Sequence, residues 1–242
     1  MRVPKSMTLL LLLTGILCIP MGQHGFLVEH WVAASVTAVP VLLAFVVVYP
    51  STPLEPRFRR KTSAVFLVGL LAHQVEEHWR DSANTAEFLH GSVLSSTVFV
   101  VNASMVWLLG VFAVLLAPRN PMISHALVLL GLVNSLIHAI HAAVLWEYNP
   151  GLITALVLLL PGSLAYSAFV LRTQPWERCA LIVAALWAIS AHAIVVGGVL
   201  ATGMFEIFGE VTLWTLIVGW SLLPVIWREW FSRETTPLSA RR

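Results

Sequence analysis

The stretch from Met122 to Trp146, MISHALVLLGLVNSLIHAIHAAVLW, decides the fold class. It contains no Asp, Glu, Lys or Arg, and it exceeds the roughly 20 apolar residues that a helix needs to cross the hydrocarbon core of a bilayer. Its apolar positions do not alternate strictly as in a barrel strand. Inside a bilayer the backbone must satisfy its own hydrogen bonds, so the stretch predicts a transmembrane helix.

Seven further segments of this kind flank it, at about 7–22, 31–49, 63–79, 93–117, 151–171, 179–202 and 206–227. Turn signals separate them: Tyr49-Pro50-Ser51-Thr52-Pro53, Arg119-Asn120-Pro121, Asn149-Pro150-Gly151 and Gln174-Pro175-Trp176. No linker is long enough to divide domains, so residues 1–242 read as one all-α, polytopic transmembrane bundle of about eight spans. Arg2, Lys5 and the short apolar run after them resemble a signal peptide, but no small-x-small cleavage site follows. The segment therefore reads as an anchor helix; cleavage would leave seven spans. The composition agrees, with 58% hydrophobic and 11% charged residues against roughly 25% charged in soluble domains. No basic stripe with interleaved aromatics suggests nucleic acid.

Basic residues set the orientation. With the N-terminus cytoplasmic, 13 of the 14 Lys and Arg fall on the inner side. Arg57, Arg59, Arg60 and Lys61 form the densest inner group, and only Arg80 lies outside. Both termini are then expected in the cytoplasm. Cys18 and Cys179 fall in opposite leaflets, too far apart for a disulfide.

The polar residues are biased toward the outer side. Ionisable residues within spans are costly and default to functional candidates. The third span ends Ala72-His73-Gln74-Val75-Glu76-Glu77-His78-Trp79-Arg80, which places His73, Glu76, Glu77 and Arg80 on one helical face. Asn134, His138 and His141 share a face of the fifth span, with His141 about 7 Å below its outer end. Asn102 lies about 13 Å deep in the fourth span, with His192 of the seventh near that depth. A lone His or Asn in a span is often interhelical glue, and this reading stands beside the functional one for Asn102 and His192. It is preferred for His78, His90 and His125. Glu206 and Glu210 suit a helix N-terminus in water, while His24, Glu29, His30 and Glu87 read as rim or loop groups. The two same-face triplets are harder to dismiss.

The set His73-x-x-Glu76-Glu77 and Asn134-x-x-x-His138 resembles the HXXEE family of uncharacterised prokaryotic membrane proteins. Asn102 and the turn Tyr148-Asn149-Pro150-Gly151, followed by a helix expected to break at Pro161, extend the likeness over about residues 63–171. Asn149 stands where the family's turn has Ser. The resemblance implies a membrane-embedded enzyme and brings no reaction with it.

Three chemistries fit these groups. In a metal site for zinc or iron, His73, Glu76, His138 and His141 would be ligands, with Glu77, Asn134 and Asn102 as catalytic or supporting groups. The string is neither H-E-x-x-H nor H-x-x-E-H, so a zinc peptidase is not expected. In a metal-free isomerase or cyclase for a terpene- or sterol-like substrate, a carboxyl kept protonated by burial would give a proton that a His or second Glu takes back. In a proton-coupled transporter or lipid-binding protein, the same groups would form an ion path. The expected partners are the bilayer and a lipophilic small molecule reached from it.

Overall fold

The computed structural model describes residues 13–14, 16–21, 34–36, 38, 56–78, 95–117, 120–202 and 210–226. Among these residues every regular element is helical. Most of the predicted segment 31–49 and half of 7–22 lie outside the described residues, as do His24, Glu29, His30, Arg80, Glu87, His90 and Glu206.

Six helices build the described bundle. Helix α1 is Pro56–His78. Helix α2 joins Ser95–Val101, a π-helical stretch Asn102–Leu108, and Leu109–Leu116. Helix α3 is Pro121–Leu145, the segment read first from the sequence. Helix α4 runs from Leu152 to Thr173 and includes a π-helical stretch at Ala155–Leu159. A 3-10 turn, Pro175–Glu177, leads into α5, Arg178–Thr202, and α6 is Glu210–Ile226.

Among the described residues four helices are long and apolar enough to cross a membrane: Thr97–Leu116, Pro121–Leu145, Leu152–Thr173 and Pro175–Gly198. Helix α1 is not among the four; it carries Arg57, Arg59, Arg60 and Lys61 at one end and Glu76 and Glu77 at the other. Its start precedes the sequence reading because the basic residues are helical. Arg59 is held by Glu177, and Arg60 Nε donates to the Val114 carbonyl at 3.2 Å.

The sequence signals explain where the helices begin and end. Asn120 caps α3 by accepting from the Met122 amide at 3.1 Å, and Pro121 needs no donor at the first helical position. Trp146 ends α3 in the left-handed region, at φ 56°. The expected break at Pro161 does not occur. Helix α4 continues through it, with the π-helical stretch directly before; a π turn absorbs the hydrogen-bond register that the proline ring disturbs.

Contacts at the two ends fix the helix directions. Arg59 near the start of α1 meets Glu177 at the start of the α5 segment, and Asn120 Nδ2 donates to the Pro224 carbonyl near the end of α6. At the other end Trp214 Nε1 near the start of α6 donates to Thr97 Oγ1 near the start of α2. Successive helices thus run up and down. Helix α3 lies at the centre and packs against the other five. Close approach needs small residues: a Cβ at Gly110 of α2 would fall 2.5 Å from Leu67 of α1.

The outer faces are apolar. Ile140, Val144, Val157, Ile182 and Leu186 are all more than half exposed. Trp146 and Trp176 are exposed at opposite ends of the bundle, where a membrane protein places its aromatic belts. Cys18 and Cys179 form no disulfide.

Candidate functional site

The last turns of α1 and α3 and the turn into α4 meet at one end of the bundle. Three expected residues converge there: the ligand atoms of His73, Glu77 and His138 lie within 4.8 Å of one another. The His73 and His138 rings stand edge to face, with centroids 4.8 Å apart. His73 is fully buried.

The turn Tyr148–Thr154 holds these side chains in place. Gly151 has φ +91°, a conformation that favours glycine. It also lies against both imidazoles, since an added Cβ would come 2.6 Å from His73 Cε1 and 3.0 Å from His138 Cε1. Glu76 points at this turn and away from the trio. Its Oε1 accepts from Tyr148 OH (2.8 Å) and the Ile153 amide (3.0 Å). Its Oε2 accepts from the Thr154 amide (2.7 Å) and Thr154 Oγ1 (2.6 Å). A carboxylate at the free amides that open α4 suits a helix N-terminus.

Hydrogen-bond bookkeeping assigns the His73 tautomer and the donor role of His138 Nδ1. Thr154 Oγ1 has one proton, and its near neighbours Glu76 Oε2 and the Gly151 carbonyl (3.2 Å) only accept. Its lone pairs therefore receive His73 Nδ1–H at 2.9 Å. Asn149 Nδ2 donates to the His138 carbonyl at 3.1 Å, which turns Asn149 Oδ1 toward His138 Nδ1; that nitrogen must donate too. His73 Nε2 is then a lone-pair acceptor, as its bond from Asn134 Nδ2 also requires, while a donating His138 Nδ1 leaves the role of His138 Nε2 open. Each Nε2 lies 3.8 Å from a Glu77 carboxylate oxygen. Asn134 Nδ2 donates to His73 Nε2 at 2.7 Å, and His78 Nε2 lies 3.3 Å from Glu77 Oε2.

A cavity of about 450 Å³ opens beside the trio. His141, Asn134 and Asn149 line its polar end, as do His73, Glu77 and His138. Val98, Val101, Met105, Val195 and Val196 form apolar walls. No Lys or Arg lines it among the described residues.

Of the expected metal ligands, His73 and His138 are in the trio; of the two candidate carboxylates Glu77 joins them and Glu76 does not, and His141 lines the cavity outside the trio. Asn102 also lines the cavity and pairs with Gln74. His192 lines it with Nδ1 donating to the Ala188 carbonyl at 2.8 Å. Glu210 opens α6. Sequence reasoning passed over Gln74, Thr154 and the supporting roles of Tyr148, Asn149 and Gly151. The only signal for them was the turn string Tyr148-Asn149-Pro150-Gly151, three residues before Thr154.

His125 sits at the opposite end, and there the packing reading of its role fits. His125 is fully buried; its Nδ1 is paired with Tyr166 OH at 2.8 Å and its Nε2 lies 3.2 Å from Glu177 Oε2. Arg59 grips both Glu177 oxygens and Gln174.

An all-helical bundle with apolar outer faces and a buried His/Glu/Asn centre defines the class as that of a helical membrane-type protein. The chain carries an HXXEE domain: residues 64–166 match the model of a family described as a protein of unknown function with HXXEE motif. That match spans α1 to α4 as far as Tyr166, and it contains the trio and the turn that holds it. No curated protein and no solved structure matches the chain.

Proposed function

We propose that the protein is a membrane-embedded, metal-dependent enzyme acting on a lipophilic small molecule. One observation carries the reading: His73 Nε2, His138 Nε2 and the Glu77 carboxylate converge, with Nδ1 of each ring committed as a donor elsewhere. With both rings neutral, three electron-rich atoms this close repel unless a positive charge sits among them. Two imidazoles and one carboxylate suit zinc or iron and leave positions open.

Zinc or iron bound there would supply a Lewis acid or an activated water. The chain's own residues do the positioning. Glu76 fixes Thr154, which fixes His73, and Asn149 fixes His138, as supporting shells do around metal-binding histidines. Asn134 now occupies the His73 lone pair, so ion binding would turn its amide aside. The apolar cavity walls favour a lipophilic substrate.

Metal analysis of the detergent-purified chain tests this. About one zinc or iron per chain is expected, falling below about 0.2 in His138→Ala and Glu77→Gln. A wild-type content below about 0.2 overturns the metal reading. It would leave the acid/base alternative, which draws on His78 Nε2 lying 3.3 Å from Glu77, close enough to exchange a proton.

The reading includes eight spans with both termini cytoplasmic and the site in the outer half of the bilayer. The inner clustering of basic residues supports it. An Asn84→Cys reporter is expected to label from outside intact cells. Labelling only after permeabilisation would reverse the orientation.

A further inference from the structure

Next to the trio, Gln74 is 1% exposed and lines the same cavity. Its Nε2 donates to Asn102 Oδ1, and Asn102 Nδ2 donates to the Val98 carbonyl at 3.0 Å. The order of these bonds is forced. Turning the Asn102 amide over would set its Oδ1 against the Val98 carbonyl, two acceptors with no proton between them. Asn102 must therefore offer its oxygen to Gln74, and Gln74 must answer with its nitrogen. Gln74 Oε1 is left buried with no donor among the described residues. A buried acceptor without a partner is costly, and such groups call for a ligand or an ordered water.

The surroundings point the same way. The wall beside Gln74 includes the π-helical stretch that starts at Asn102, and Met105 and Val106 of that stretch line the cavity. Short π insertions in helices are frequent at functional sites. Val98, Val101, Val195 and Val196 of the same cavity offer no side-chain hydrogen bond and give it apolar surface for a ligand body. Its volume of about 450 Å³ falls within the size range of small-molecule sites.

We infer that Gln74 is the specificity-determining residue of this cavity and that the ligand is a lipophilic alcohol, its hydroxyl donating to Gln74 Oε1 and its apolar body lying along the valine walls. The inference rests on the cavity of the proposed function and not on the ion. A ligand with the same body but no donor leaves the acceptor bare. Sites built to pair a polar group reject analogues that lack it more strongly than apolar pockets reject a change of size.

The test uses the full chain in lipid nanodiscs, with 1-dodecanol and 1-methoxydodecane compared at equal mole fraction in the bilayer by competition against radiolabelled dodecanol. Wild type is expected to bind the alcohol about tenfold or more tightly than the ether. Gln74→Met is expected to remove that preference. Asn102→Leu is expected to shrink it, because the freed Gln74 amide can then offer its NH₂ to the ether oxygen. Wild type treated with a chelator, which strips any ion from the trio, is expected to keep it, so loss of the metal reading and loss of this one are told apart. Equal binding of the two probes by wild type would overturn the inference. So would an undiminished preference in Gln74→Met protein that is monodisperse and helical; if that variant does not fold, the wild-type comparison and Asn102→Leu decide.

Discussion

Arg59, Glu177, His125 and Tyr166 at one end of the bundle set a cation against a carboxylate, while His73, Glu77 and His138 at the other end set a carboxylate against two imidazoles. Both clusters join α1 and α3 to neighbouring helices, and both combine histidine with a glutamate. The first contains its own cation: Arg59 covers both oxygens of Glu177, and His125 is clasped between Glu177 and Tyr166. Among the described residues the second has no Lys or Arg lining its cavity, and two imidazole Nε2 atoms lie 3.8 Å from its carboxylate. The first cluster carries its own cation; on the proposed reading the second takes its cation from outside the chain. Buried charge that cancels itself acts as a tie between helices; buried charge that does not is a place for a ligand, an ion or a proton.

Removing one partner separates the two ends. Arg59→Ala strands a buried carboxylate beside His125 and is expected to cost roughly 3–5 kcal/mol in denaturant unfolding, with metal per folded chain unchanged. A cost near zero would show that the first cluster is not self-sufficient. Gly151→Ala forces a side chain into a left-handed position and into His73, so a loss of roughly 1–3 kcal/mol is expected, together with lowered metal content. Normal metal binding in that variant would break the link between turn and trio. Glu76→Gln replaces an acceptor of four hydrogen bonds and should cost about 1–2 kcal/mol and weaken metal affinity about 10–100-fold. Tyr166→Phe removes one hydrogen bond to His125, for about 1 kcal/mol and no change in metal. Glu77→Gln is expected to shift stability by less than about 0.5 kcal/mol while abolishing metal binding. A large destabilisation there would mean that Glu77 is a structural tie, as Glu177 is.

Much of this contrast was legible in the sequence, and for identifiable reasons. Met122–Trp146 announced a helix because long apolar runs without charge have one stable form in a bilayer, and α3 follows it to within a residue. His73, Glu77 and His138 were legible because helical spacing puts same-face residues together and the direction of each span puts them at one depth. The choice between Glu76 and Glu77 was not. Adjacent residues point about 100° apart on a helix, and which one faces α3 depends on the rotation of α1, fixed by packing against α2, α3 and α4. Thr154 and Gln74 were illegible for a related reason. Their roles come from partners 81 and 28 positions away, and neither residue type is unusual in a helix. Pro161 misled because a π-helical stretch keeps α4 continuous where a break was expected.

The central claim is that the second cluster is a metal centre made by His73, Glu77 and His138. X-ray absorption at the edge of the bound metal, on purified wild-type protein and on His138→Ala, tests it most directly. Wild type is expected to show a nearest shell of nitrogen and oxygen at about 2.0–2.2 Å with the outer scattering of two imidazoles, and His138→Ala the loss of one of them. A shell with no imidazole, or one unchanged in His138→Ala, would contradict it.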